Sequence, residues 1–240
     1  MADILSQEEV DALLEIVEES CEYENINNYR NGNYCDNSQV ILYDFKRPNR
    51  VTKSGLRFFK YIHDIFAKDL ERSLTTYVKN ICEIQLHSVD QMTFGEFLMS
   101  IRSESKKIKT TLNPLNGILM VSFDPQIVYE TINLLTGSLN DEEKEPFRDF
   151  TDLENFIFDD VLENIYIPSL NSALTKTIKK DFNLEIISNE QSLFNWTNDI
   201  TQNEQIIMIV MEIIIGNASG MLNFAYPVKY VENTIKEMSI

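Results

Sequence analysis

The sequence predicts an α/β domain whose two halves repeat the same order of elements, preceded by a short helix on a polar tether. Three observations predict it. A helix, a strand, a hairpin and a further helix follow one another twice between residues 52 and 240; residues 3–19 have a helical apolar period; and residues 20–39 have none. Because strands adjacent in sequence favour antiparallel pairing, we expect a pseudo-twofold α/β/α sandwich with mainly antiparallel strands, and not a doubly wound sheet.

Charge is distributed unevenly along the 240 residues. Residues 1–39 carry ten acids and one base, whereas residues 46–60 carry six bases and no acid. This asymmetry indicates separable segments. The formal net charge of −17 repels nucleic acid, so we do not expect a nucleic-acid partner.

The N-terminal segment is predicted to form a short amphipathic helix. Ser6 and Glu9 have the spacing of a capping box, and Leu5 can pack on Val10 as a hydrophobic staple. One apolar stripe then follows at helical spacing: Val10, Leu13, Leu14 and Val17. A helix of about 13 residues is marginal alone in water, so it needs a surface, either on its own domain or on a partner.

The next segment is predicted to be a linker. Residues 20–39 contain six asparagines and no periodic core face. A flexible coil of about 20 residues reaches roughly 25 Å root-mean-square. A capped helix on such a tether is typical of a peptide that folds into a partner's groove.

The first half of the domain begins with a helical pattern over Thr52–Asn80. Alternating apolar and polar residues predict a half-buried strand over Ile81–Val89. Thr93 and Glu96 form a capping box that opens a short helix.

A hairpin and a helix complete the first half. Two strands, residues 107–111 and 117–123, flank an Asn-Pro turn. Asp124 and Pro125 are a cap and a first helical residue, and Gly137 can end that helix.

The second half repeats this order. Thr151 and Glu154 cap a long helix that reaches about residue 178, with a kink expected at Pro168. Pro227 opens the last helix. The strands are predicted over residues 182–188, 205–215 and 221–226, with a hairpin loop at 216–220.

The residues predict no metal site and no cofactor. His63 lies on the apolar face of the first helix, which favours a core or boundary histidine, and His87 lies on the polar side of its strand. The three cysteines fit no metal-ligand spacing. The sequence also lacks a phosphate-binding loop, a dinucleotide fingerprint and a nucleophile elbow.

Several segments resemble one family. The N-terminal run Leu5-Ser6-Gln7-Glu8-Glu9-Val10-Asp11-Ala12-Leu13-Leu14 resembles the N-terminal peptide of the flagellar motor switch protein FliM family. The segments 46–50, 84–97 and 212–223 are similar to the middle domain of that family, whose fold resembles the CheC and CheX phosphatases. The similarity runs over nearly the whole chain.

The resemblance implies three segments and a set of binding residues. Residues 1–19 would be a helix that binds the phosphorylated response regulator CheY, 20–40 a flexible linker and 41–240 the CheC-like middle domain. Leu5, Val10, Leu13 and Leu14 would make the apolar contacts. Ser6 and Gln7 would set the helix start, and Glu9 and Asp11 would face basic groups on CheY.

The resemblance also implies a function without catalysis. The chain would be a component of the switch ring (C-ring) that helps control the direction of flagellar rotation in chemotaxis. Its partners would be CheY, the rotor protein FliG and neighbouring FliM subunits. It would be a peripheral membrane component of the basal body, at the cytoplasmic face of the inner membrane.

Two features depart from the family pattern. The Gly-Gly-X-Gly turn that contacts FliG reads Thr136, Gly137, Ser138 and Leu139, so we expect FliG binding to be lost or to use a changed geometry. The C-terminal β domain that joins the FliN ring is expected to be absent, because the sequence stops at Ile240. This puts binding to FliN in question.

Two other functions remain open. A CheC-like phosphatase would use an acid and an asparagine one helical turn apart, whereas Glu154-Asn155 and Glu163-Asn164 are adjacent pairs that point in different directions. A degenerate paralogue would bind the regulator without entering the motor.

Overall fold

Two long helical segments open the two halves of the domain, as predicted. A computed structural model describes residues 51–137, 148–190, 196 and 199–238. Helix α1 spans Lys53–Val78, and the Thr52 hydroxyl accepts a hydrogen bond from the Gly55 amide at its start. Among the described residues, no helix combines the length and hydrophobicity needed to cross a bilayer.

The second helical segment is interrupted before Pro168. Helix α4 spans Asp152–Val161 and helix α5 spans Ile167–Ile178, with a π-helical turn over Leu162–Tyr166 between them. Proline removes an amide donor from the regular helical ladder. The break predicted at this proline therefore takes the form of a π turn in the residues just before it.

Six strands of the described chain form one sheet, in the order β1-β5-β6-β3-β2-β4, and all neighbours are antiparallel. The fold class predicted from the sequence is confirmed. The remaining elements are β1 (Cys82–Thr93), α2 (Phe94–Ser100), β2 (Lys106–Leu112), β3 (Gly117–Phe123), α3 (Pro125–Thr136), β4 (Ile186–Glu190), β5 (Gln205–Ile215), β6 (Ala218–Pro227) and α6 (Val228–Met238).

The pseudo-twofold relation is visible in the strand order. Exchanging β1 with β4, β2 with β5 and β3 with β6 reverses the order and otherwise leaves it unchanged. Local contacts repeat as well. The Thr75 hydroxyl accepts from the Cys82 amide (3.2 Å), and the Thr175 hydroxyl accepts from the Phe182 amide (3.1 Å). The two halves therefore share the connection from long helix to first strand.

Three predicted boundaries were wrong, the first of them at the end of β1, which runs to Thr93 and not only to Val89. Strand β4 begins at Ile186, whereas Asn183 makes only an isolated bridge to Asn113. The β5–β6 loop is also shorter than residues 216–220, because Ile215 already pairs with Ala218. Gly216 takes the positive φ (57°) that so tight a turn needs, so the strand continues through residues expected to lie in a loop.

The two faces of the sheet are covered unequally. The larger core lies between the sheet and helices α1, α3, α4, α5 and α6, and β5 contributes Ile207, Ile209 and Met211 to it. The opposite face is covered by a smaller cluster around Phe97 and Trp196, the only tryptophan in the chain, whose rings stack 6.1 Å apart. Both faces of β5 are therefore apolar, as expected for a central strand.

His63 is a core histidine, as the apolar helical stripe predicted. It is fully buried, with Nδ1 3.0 Å from the Phe59 carbonyl oxygen and Nε2 3.2 Å from the Tyr226 hydroxyl. Because a carbonyl can only accept, Nδ1 carries the proton and Nε2 accepts from Tyr226. Burial lowers the pKa of His63 to about 4, since the charged form would lose its hydration.

This environment predicts an acid-sensitive core. The unfolded chain takes up a proton on His63 below pH 6.5, but the folded chain does not until about pH 4. The contribution of neutral His63 to the free energy of unfolding is therefore fully present above pH 6.5. It is lost as the pH falls from 6.5 to 4, by about 3 kcal/mol in total. Urea unfolding of the wild type and of His63→Asn measures it. The wild type should show the steeper loss between pH 6.5 and 4, and equal slopes would contradict this assignment.

Candidate functional site

The residues predicted from the resemblance divide into two groups. The eight predicted CheY-binding residues lie outside the described residues and stay predictions: Leu5, Ser6, Gln7, Glu9, Val10, Asp11, Leu13 and Leu14. Of the four residues of the predicted FliG-contact turn, Thr136 and Gly137 are described, and Ser138 and Leu139 are not. The candidate site in the folded domain is therefore the corner where α3 ends and α4 begins.

The end of α3 is an open glycine cap. Gly137 has φ 72°, and its amide donates to the Asn133 carbonyl. Among the described residues, apart from its own helix and chain neighbours, no atom lies within 4 Å of the position that a Cβ would occupy at Gly137. The Thr136 hydroxyl donates back to the Ile132 carbonyl (2.9 Å). Gly137 is exposed to solvent, while the Thr136 side chain is bonded to its own helix.

Arg148 fastens the start of α4 against α3. Its guanidinium makes a bidentate ion pair with Glu154 (2.7 and 2.8 Å) and lies over the Tyr129 ring, 5.3 Å from the centroid. The Tyr129 hydroxyl donates to the Arg148 carbonyl (2.8 Å), and the Tyr129 and Phe150 rings are 4.8 Å apart. Helices α3 and α4, which are separated by fifteen residues of sequence (137–151), are thus held together at this corner.

Glu154 has two structural functions at once. It accepts from Arg148, and it closes the capping box by accepting from the Thr151 amide (2.8 Å). The hydrogen bonds from Arg148 are the main reason that its pKa falls to about 2, with smaller contributions from Thr151. The sequence predicted the capping box but not the ion pair with Arg148.

A buried lysine in the sheet also bonds to helix α4. Lys106 of β2 is 2% exposed, and its Nζ lies 2.5 Å from the Asn155 amide oxygen and 3.4 Å from the Asp159 carboxylate. Burial lowers the pKa of Lys106, and Asp159 opposes this shift. Helix α4 is therefore attached to α3 through Arg148 and to the sheet through Lys106.

Two large apolar side chains point away from this anchored helix. Leu153 is 67% exposed and Phe156 is 74% exposed. They are three residues apart and so are neighbours on the helix surface. The buried face of α4 is carried by Phe158 and Val161 instead. This pair was not among the predicted site residues, although its spacing in the sequence already sets it apart from the buried face of α4.

The long helices also place an acid and an asparagine one turn apart. Asn164 donates to the Asp160 carboxylate (2.8 Å), and the Tyr77 hydroxyl donates to its other oxygen (2.6 Å). Asp160, and not the adjacent Glu163, is thus the acid that pairs with Asn164, which the sequence pattern did not predict. Because Tyr77 belongs to α1 and Asp160 to α4, the hydrogen bond between them links these two helices. The described residues also contain no group of three or more potential metal ligands.

The sequence of the chain is similar to those of one protein family. The family model of the flagellar motor switch protein FliM matches residues 52–240. The FliM of Treponema pallidum is 30% identical over 240 residues, covering 100% of this chain and 67% of that protein. The chain therefore spans about two thirds of the length of this relative.

Solved structures agree with the family match. The FliM middle domain from H. pylori is 35% identical, with a TM-score of 0.69, and the alignment covers 78% of this chain and 99% of that one. The FliM chain of a FliG-FliM complex from H. pylori has the same identity and TM-score, with 78% of this chain and 100% of that chain covered.

The Arg148–Glu154 pair gives a testable prediction. Gln can still close the capping box at residue 154 but cannot form the ion pair. We expect Glu154→Gln to lower the free energy of unfolding by about 1 kcal/mol at pH 7, a value reduced for solvent screening. The difference should vanish as the pH falls from 4.5 toward 2, because Glu154 then becomes protonated. Urea unfolding at both pH values measures it, with Arg148→Gln and the double variant as controls. Equal stabilities at pH 7 would show that the pair contributes nothing.

Proposed function

This chain belongs to the FliM family of flagellar motor switch proteins, and from this premise we propose that it is a component of the switch of a bacterial flagellum that binds phosphorylated CheY. The observation that carries the proposal is the capped apolar run Leu5–Leu14, which precedes a domain of this family. It supplies both an apolar stripe and an acidic surround for a basic groove on the regulator.

We propose that residues 20–40 act as a tether between the CheY-binding helix and the folded domain. Holding the regulator on a linker raises its local concentration beside the domain. The switch then changes rotation direction because the bound regulator favours one of two ring states over the other. A regulator that bound both states equally would have no effect.

FliG is the proposed partner of the α3–α4 corner. Support comes from the H. pylori complex and from the solvent exposure of Gly137. The resemblance implies that Thr136 and Leu139 stand where the family turn has glycines, so the contact is proposed to use a changed geometry. Neighbouring copies of the chain complete the proposed ring, at the cytoplasmic face of the inner membrane.

We propose a scaffold function without catalysis. Asp160 and Asn164 lie one turn apart, and Asp160 accepts hydrogen bonds from both Asn164 and Tyr77, which supports a structural function for the pair. A CheC-like phosphatase would instead present both groups to a bound regulator.

CheY binding can be tested with the full chain and the CheY of the same organism. We expect calorimetry to show binding that strengthens at least tenfold when CheY carries a phosphate mimic. The double substitution Leu13→Ala, Leu14→Ala should abolish it, because it removes two of the apolar contacts of the helix.

Three outcomes would redirect the proposal. Absence of binding in either state of CheY would remove the receiver function. Faster loss of phosphate from CheY when the chain is added would favour the phosphatase. Intact CheY binding without FliG binding would favour the paralogue that only sequesters the regulator.

A further inference from the structure

A small cavity lies in the larger core, next to the π-helical turn between α4 and α5. Strands β2, β3 and β6 line it from the sheet, and helices α1 and α5 line it from the opposite side together with the π turn. Leu162 and Tyr166, the first and last residues of that turn, both line it. A π turn is wider than an α turn because its hydrogen bonds span five residues. We call this space the π-turn cavity.

Two hydroxyl groups face the π-turn cavity. Thr110 of β2 is fully buried and Tyr166 is 4% exposed, and both line the cavity. Neither hydroxyl oxygen has a hydrogen-bond partner among the described residues, so the two do not bond to each other. The other residues that line the cavity are all apolar. A buried hydroxyl without a partner is costly, because it has given up its hydrogen bonds to solvent.

The Tyr166 hydroxyl is held in place and keeps its proton. The Tyr166 ring meets the Phe123 ring edge to face, with 4.9 Å between the centroids, and lies 6.2 Å from the Phe158 ring. Burial raises the pKa of Tyr166 far above its usual value, so this hydroxyl can donate a hydrogen bond throughout the neutral range. A threonine hydroxyl can both donate and accept. The two groups therefore suit one small ligand that also donates and accepts.

The size of the cavity identifies that ligand as water. A water molecule can place its centre anywhere within about 20 Å³ of the π-turn cavity. One bound water needs about 10 to 15 Å³ of such space and two to four polar partners. A cavity lined only by apolar side chains stays dry. Here Thr110 and Tyr166 supply the two polar partners that a single water requires.

We propose that the π-turn cavity binds one structural water molecule, which bridges the Tyr166 hydroxyl and the Thr110 hydroxyl. Thr110 belongs to the first half of the domain and Tyr166 to the second half. The water is thus a polar connection between the halves, placed where the second helical segment is interrupted. This inference is independent of the proposed function, so the failure of one leaves the other standing.

A crystal structure of the chain, at a resolution that shows ordered water, tests the site directly. We expect one isolated water whose oxygen lies about 2.5 to 3.0 Å from both hydroxyl oxygens, the usual range of an O–H···O hydrogen bond. Two hydroxyls that bond only to protein groups, or a cavity without density for a water, would overturn the inference.

Two substitutions that keep the side-chain shape test the site in solution. Thr110→Val and Tyr166→Phe each leave the water with one hydroxyl partner, so each should lower the folding equilibrium constant roughly fivefold in urea unfolding. The double variant should lose less than the two single effects combined, because a cavity without hydroxyls no longer needs a water. Without a bound water, each single substitution would remove an unpaired hydroxyl. Both constants would then rise, and the inference would be overturned.

Ser122 of β3 offers a matched control. It is fully buried, and its hydroxyl also has no partner among the described residues. It faces the other side of the sheet, since it alternates with Val121 and Phe123 of the larger core. Ser122→Ala should leave the folding equilibrium constant unchanged or raise it. A loss as large as that of Thr110→Val would mean that removing any buried hydroxyl has this effect, and it would overturn the assignment to the π-turn cavity.

Discussion

Each half of the domain gives its first strand to the other half. Strand β1 pairs with β5, and β4 pairs with β2, so each edge of the sheet is formed by a strand from the opposite half. The hairpins β2–β3 and β5–β6 can form from neighbouring segments of chain, but β1 is about 120 residues from its partner. The full six-stranded sheet therefore forms only when the two halves pair with each other. The helices pack on this shared sheet, which neither half completes alone.

This exchange fixes the position of the candidate interface. Strand β2 lies between β3 and the exchanged strand β4, and its Lys106 anchors α4 from the sheet. Helix α4 belongs to the second half of the chain, whereas α3, which Arg148 joins to it, belongs to the first. The α3–α4 corner is thus a junction of the two halves. A partner that binds there contacts a surface whose geometry is set by the whole sheet.

The sequence predicted those features that depend on local chemistry. Capping boxes at Thr93 and Thr151, the proline after Asp124 and the αL glycine at Gly137 all carry a local signal, and each lies where it was expected. The predicted start of β4 was wrong. An edge strand pairs only where its neighbour offers free hydrogen-bonding groups, and no local sequence pattern specifies where that is. The short β5–β6 turn was missed because Gly220 was taken as part of the loop.

The candidate site was predicted less completely. The N-terminal peptide and the turn at Thr136 came from resemblance. The Arg148–Glu154 pair and the Lys106 anchor are contacts between elements, and neither has a spacing signature. His63 was assigned to the core because a helical stripe shows burial, but its bond to Tyr226 depends on the register of β6, which periodicity does not give.

Native-state hydrogen exchange at increasing denaturant tests the dependence of the fold on exchanged strands most directly. The account predicts that amides in β2–β3 and in β5–β6 open with a single free energy, equal to that of global unfolding, since neither half is complete without the other. If one hairpin with its helix opened at a clearly lower free energy while the other stayed protected, the halves would be separate units. The view of one cooperative scaffold beneath the α3–α4 corner would then be contradicted.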